Sequence, residues 1–119
     1  MNDAFQYQID THGADAEDDY QYTAKDGNCT SSGKVKYFPF THFNVTAPTL
    51  AGLCDAVASG PVSVAVHVNE KFQRYEKGIF RDENCTDVVN HGVIITGCQI
   101  LQKEPEEEFF ITLRNSWGA

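Results

Sequence analysis

Two stretches of this chain declare their local structure by spacing alone. Val62-Ser63-Val64-Ala65-Val66-His67-Val68 sets a valine at every second position, the period of a strand with one buried face. Leu50, Leu53, Cys54 and Val57 recur at i, i+3, i+4 and i+7, a single helical stripe that starts after Pro48 and is stopped by Gly60-Pro61. That spacing packs Cys54 into the stripe. Two more runs, 91–97 and 109–115, are rich in β-branched and aromatic residues and predict neighbouring antiparallel strands. Between them, 99–108 carries Glu-Pro-Glu-Glu-Glu and predicts a solvated loop. Residues 38–45 alternate apolar with mixed positions, a strand that Pro39 confines to an edge. At the start, Phe5 and Ile9 lie one turn apart behind polar cap residues, predicting a short amphipathic helix that ends at Gly13. Residues 13–33 follow neither period and predict a surface loop pegged by Tyr20 and Tyr22. The sum is an α+β fold: helical pieces first, a mostly antiparallel sheet afterwards, and a helix between.

Length and charge narrow the classes. At 119 residues with 41% hydrophobic content, the chain is sized for one globular domain with a core, not a disordered tail. No apolar run reaches the roughly 20 residues that cross a bilayer, and the first fifteen residues lack the pattern of a signal peptide. Neither a membrane partner nor an intact secretory precursor is expected. A net charge of −8 repels phosphate backbones, so nucleic acid is not an expected partner. The four cysteines Cys29, Cys54, Cys85 and Cys98 are widely spaced, with no Cys/His pattern for zinc, and neither a metal nor a cofactor is expected. Three acceptor triplets for N-glycosylation, at Asn28, Asn44 and Asn84, favour an exported or lysosomal compartment.

The chemistry gathers in the last strand pair. His91 opens one predicted strand and Asn115 closes the other, so an antiparallel pairing brings imidazole and carboxamide to one end of the sheet. An amide oxygen that accepts from an imidazole fixes its tautomer and direction, as the third member of a nucleophile, base and orienter set must. Trp117, two residues on, can cover that bond against water. His12, His42 and His67 have no such context and read as structural or surface residues.

These residues carry a resemblance. Asn90-His91-Gly92-Val93-Ile94 followed by Arg114-Asn115-Ser116-Trp117-Gly118 resembles the histidine and asparagine blocks of papain-like cysteine peptidases of the cathepsin L type. Met1-Asn2-Asp3-Ala4-Phe5-Gln6-Tyr7, the 20–29 stretch with its Tyr20-Gln21-Tyr22, and Gly60-Pro61-Val62 with Gly78-Ile79-Phe80 resemble further blocks of that family in the same order. The resemblance implies a papain-like fold, with 1–13 a helix remnant of the helical half and 34–119 the β-rich right-hand half. It implies His91 as the acid/base imidazole, Asn115 as its orienter, and Trp117 as both shield and wall for the residue beyond the scissile bond. It also places Met1, Val68, Asn90 and Gly92 along the main specificity pocket, which would then favour a bulky apolar or aromatic side chain on a peptide or protein substrate.

The family's Cys-Gly-Ser-Cys-Trp nucleophile block and its oxyanion glutamine have no counterpart in these 119 residues. Cys98 does not substitute: seven residues along a strand from His91 it lies about 23 Å away. Cys54 in an apolar stripe is expected to be an inert thiol. Cys29 and Cys85 resemble halves of family disulfides whose other halves lie upstream and downstream. The expectation is a fragment of a lysosomal or extracellular peptidase, inactive alone and weakly cooperative in folding, whose partner is the N-terminal part of the same domain or a propeptide. A nucleophile-free pseudoenzyme, a peptide- or partner-binding module and a structural remnant are the competing readings.

Overall fold

A computed structural model describes residues 1–31, 36–37, 44–45, 49–103 and 106–118. It divides into two compact units, 1–44 and 45–119.

In the first unit, α1 (Asn2–Asp10) places Met1 at its N-cap without a side-chain cap bond, and Thr11 ends it. The Thr11 hydroxyl donates back to the Tyr7 carbonyl at 2.7 Å, and His12 follows in the left-handed region at φ 60°, which histidine enters more readily than most non-glycine residues. The helix therefore stops just before the predicted Gly13. The short strand β1 (Ala14–Asp15), inside the expected loop, pairs antiparallel with β2 (Lys36–Tyr37), which lies beyond it. Most of the predicted edge strand, 38–43, lies outside the described residues, as does His42; Asn44 and Val45 carry no regular structure.

The second unit holds a three-stranded antiparallel sheet in the order β3-β4-β5, formed by β3 (Val62–Val66), β4 (His91–Lys103) and β5 (Glu106–Arg114). Helix α2 (Leu50–Ser59) precedes it on the expected stripe. Thr49 caps the helix by accepting from the Gly52 N–H at 3.1 Å, and Gly60 ends it at φ 153°, ψ 174°, a region open essentially to glycine alone. A one-turn helix, α3 (Glu70–Gln73), follows β3.

The core lies where the alternating valines meet β4. Val62 faces Ile95, Val64 faces Val93 and Val66 faces His91, so these six side chains share one face of the sheet. Ile95 is 2% exposed and Val93 is also buried. The hairpin is longer than the sequence suggests, because the ladder runs on through Ile100↔Phe109 to Lys103↔Glu106. The predicted acidic loop is thus corrected to strand over much of its length: backbone pairing and the apolar pair Ile100 and Phe109 outweigh the low β-propensity of the acidic residues.

A single bulge controls the rest of β4. Ile95 pairs with Leu113 but Gly97 pairs with Thr112, so Thr96 is one extra residue on β4. Plain alternation from His91 would send Cys98 to the opposite face. The extra residue returns it to the face of Ile95, because its partner Ile111 and Leu113 are two apart on β5. There Cys98 forms a disulfide with Cys54 of α2, the two Cα atoms 5.3 Å apart. The expectation of a free, inert thiol at Cys54 is therefore corrected: the bulge aims a partner at it.

Closing a loop of 44 residues, the bridge stabilises the fold by about 4 kcal/mol in the chain-entropy treatment. The double change Cys54→Ala, Cys98→Ala is expected to lower the unfolding free energy in urea by that order, and reductant to lower wild type to the same midpoint without moving the variant. Coincident midpoints for oxidised wild type and double variant would contradict this.

Candidate active site

His91 is the first residue of β4, on the core-side face and half-buried. The β4–β5 register reaches its last pair at Ile94↔Arg114, so Asn115 stands one step further, on the same face as Leu113. His91 and Asn115 are thus diagonal neighbours on one face, a separation that long side chains can span. His91 Nε2 lies 2.9 Å from Asn115 Oδ1.

The proton on this bond can be assigned. The same Oδ1 accepts the backbone N–H of Ser116 at 2.8 Å, and a backbone N–H can only donate. The atom facing both partners must be the amide oxygen, so His91 Nε2 must carry the hydrogen and donate it. In the neutral ring this leaves Nδ1 unprotonated, with a lone pair free to take a proton. The Trp117 indole covers the imidazole with ring centroids 4.8 Å apart and planes inclined by 30°, although Trp117 itself is 51% exposed. The indole also meets Phe72 of α3 edge-on at 6.0 Å, and Phe72 meets Phe80 at 5.1 Å.

A polar knot lies behind these rings. Asp82 accepts from Asn69 Nδ2 at 2.5 Å, from Lys71 Nζ at 2.9 Å and from the Asn84 N–H at 3.1 Å, and its side chain is only 2% exposed. The Asn69 hydrogen bond first, then Lys71 and the Asn84 amide, hold the Asp82 carboxyl down at about 2 against the 3.8 of an ordinary aspartate. Asn69 Oδ1 in turn accepts the Phe72 N–H at 3.1 Å and caps α3. Asn69 has the residue type of a helix cap, whereas Asp82 has no local sequence signal at all, since its partners are brought to it only by the folded loop.

The remaining sequence candidates divide. Asn90 clamps Val68: its Oδ1 accepts the Val68 N–H at 2.8 Å and its Nδ2 donates to the Val68 carbonyl at 2.9 Å. Val68 is 8% exposed. Gly92 pairs with Ala65, and a Cβ built on it would meet nothing within 4 Å, so open space lies on that side. Met1 belongs to the first unit, exposed at the start of α1. His67 is structural as expected: its Nδ1–H donates to the Val88 carbonyl at 2.7 Å, with the Thr86 hydroxyl at 3.2 Å. Cys29 and Cys85 are exposed free thiols. Among the described residues no group of three His, Cys, Asp or Glu side chains could hold a metal ion.

The family profile described as papain family cysteine protease matches residues 1–119. Cathepsin Q of Rattus norvegicus is 35% identical over 117 residues, which are 97% of this chain and 34% of that protein. Cathepsin S of Bos taurus is 36% identical over 99% of this chain and 35% of its own length. The chain therefore spans about a third of the length of these relatives. Among solved structures, the digestive procathepsin L2 proteinase from the Tenebrio molitor larval midgut superposes with a TM-score of 0.75 at 29% identity, covering 99% of this chain and 37% of that one. The bromelain protease of Ananas comosus, in complex with the E64 inhibitor, gives 0.73 at 28% identity over 97% of this chain and 52% of that one. The expected papain-like fold, with its antiparallel sheet, is borne out by these likenesses.

The Asp82 knot has a defined pH signature. A carboxyl whose folded value is depressed stabilises fully above its unfolded value and loses that contribution as pH falls toward the folded one. The Tm difference between wild type and Asp82→Asn is expected to stay constant between about pH 5 and pH 7 and to shrink below the ordinary value of 3.8 toward 2. A difference that vanishes already at neutral pH would contradict the assignment.

Proposed function

Because this chain belongs to the papain family of cysteine proteases, we propose that it carries the histidine and asparagine half of a Cys-His-Asn centre that hydrolyses peptide bonds. The observation that carries this reading is the oriented His91–Asn115 hydrogen bond, which leaves His91 Nδ1 as a free base. The attacking thiol comes from outside these 119 residues, since Cys54 and Cys98 are joined to each other and the two free thiols, Cys29 and Cys85, resemble halves of family disulfides and not the nucleophile block. The chain alone therefore does not turn over, and the partner that completes it is the N-terminal part of the same domain, with a propeptide as a further binding partner.

In the completed centre, Nδ1 takes the thiol proton and the resulting thiolate is stabilised beside the imidazolium, well below the pKa of a free cysteine. The sulfur attacks the scissile carbonyl, and the imidazolium returns its proton to the leaving amine as the acyl-enzyme forms. The base then draws a proton from water, which attacks the thioester carbonyl and releases the acid. Asn115 keeps the ring in one direction through both half-reactions, and Trp117 limits the access of water to the bond that does so. Val68, Asn90 and Gly92 line the pocket for the main substrate side chain. The Asn90 amide is engaged by the Val68 backbone, so its part is to hold an apolar wall, which suits a bulky apolar side chain.

A lysosomal or extracellular location is supported by two independent features. The Cys54–Cys98 bridge needs an oxidising environment to form and persist. Asn28, Asn44 and Asn84 are exposed acceptors in Asn-x-Thr triplets.

In the longer, active form of the enzyme, His91→Ala is expected to abolish turnover of a peptide substrate. Asn115→Ala should lower kcat by about 10²-fold or less, because an orienter contributes less than the base it serves. Equal and negligible effects of the two changes on kcat/KM would refute the assignment.

A further inference from the structure

The loop behind Trp117 has a part in this site that sequence matching does not reveal. Trp117 lies beyond the end of β5, three residues after Arg114, where no ladder bond sets its direction. Its orientation therefore depends on what its ring touches, and its ring partners include His91 and Phe72. Phe72 sits on α3, a helix of four residues. So short a helix does not form by propensity, because nucleation costs more than one turn returns. It exists because Asn69 Oδ1 satisfies the Phe72 N–H, and Asn69 can present that oxygen only if its amide is turned the right way. The Asp82 carboxylate does the turning: it takes the Nδ2 of the same amide, thirteen residues along the chain, and holds Lys71 and the Asn84 backbone as well.

We infer that Asp82 is a positioning residue for the His91–Asn115 pair, acting through the Asn69 amide, the α3 cap, Phe72 and the Trp117 indole. The inference rests on His91 being the functional imidazole, but the physical linkage from carboxylate to ring can be tested apart from activity. Asp82 touches none of the reacting atoms. A neutral amide in its place offers one acceptor oxygen and brings hydrogen-bond donors toward Asn69 and Lys71, so the Asn69 amide is no longer held in one orientation. The ion pair with Lys71 matters less, since Lys71 is 63% exposed and such pairs are screened.

Two readouts on the 119-residue chain report the far end of this linkage. Trp117 is the only tryptophan, so the near-ultraviolet circular dichroism of the indole reports its packing alone. Proton exchange at His91 Nε2, followed by nitrogen-15 NMR, reports how firmly Asn115 and the indole guard that bond. In Asp82→Asn the indole band is expected to lose at least half its intensity, and Nε2–H exchange to quicken by about tenfold or more, with far-ultraviolet circular dichroism unchanged. Asn69→Asp supplies a second test, because it keeps a capping oxygen for the Phe72 N–H but replaces the donor to Asp82 with a carboxylate that repels it; the same loosening is expected. If Asp82→Asn does not fold, Asn69→Asp alone decides. Wild-type indole intensity and wild-type exchange in a folded variant would overturn the inference.

In the longer active form, Asp82→Asn should lower kcat with little change in KM, and Asp82→Glu should restore part of the loss. If these variants loosen the rings while His91→Ala keeps activity, the linkage stands and the catalytic reading fails. If the rings stay fixed while His91→Ala is inactive, the opposite holds.

Discussion

Everything at the candidate site depends on one constraint, the register of β4 between its two neighbours. A slip of one residue would exchange the faces of the strand, burying Gly92 and Ile94 and exposing Val93 and Ile95. The alternating valines of β3 forbid this, since only the observed pairing sets Val62 and Val64 against Ile95 and Val93. Once hydrophobic pairing has fixed that register, His91 has no freedom left in position. It lies opposite Val66 at the end of the apolar face, and β5 delivers Asn115 beside it. The polar pair is a consequence of the apolar one.

The bulge at Thr96 gives the same strand a second use. Toward its start, β4 follows plain alternation and presents His91, Val93 and Ile95 on the core face. After the extra residue the alternation restarts with the opposite parity, and Cys98 joins that face. The disulfide to Cys54 then ties α2 to the strand that carries the histidine. Only three hydrophobic residues are buried among those described, Val68, Val93 and Ile95, so apolar packing alone supplies little. A covalent tie that restricts the unfolded chain is an effective supplement to so small a core.

What the sequence made legible follows from the range of the interactions. The stripe of α2, the valine strand and the two strands bearing His91 and Asn115 are set by nearest neighbours and period, and they appear as read. The continuation of the hairpin through Gln99 and Glu108 was hidden because cross-strand pairing overrides the poor β-propensity of glutamate. The cystine was hidden because a bulge leaves no periodic trace, and without it Cys98 faces away from α2. Asp82 was hidden for a third reason: each of its partners is ordinary in sequence, and only the folded loop places them around one carboxylate. The His91–Asn115 meeting was legible because antiparallel geometry makes strand ends coincide.

The segment from Asn69 to Asn90 is tied by several polar contacts that suit an acidic setting. Asn69 and Asn90 bond through amides, which do not titrate. Asp82 stays ionised until the pH approaches about 2. His67 donates through Nδ1–H to the Val88 carbonyl, and protonation of its other nitrogen leaves that bond in place. The same logic governs the candidate site. His91 donates from Nε2 to Asn115 whether Nδ1 is bare or protonated, so the ring can accept a proton and return it without breaking the contact that aims it. A carboxylate in place of Asn115 would bind the cation far more tightly than the neutral ring and would resist the return of the proton. In the proposed centre, a neutral amide at this position would suit a base that passes through both protonation states in every cycle.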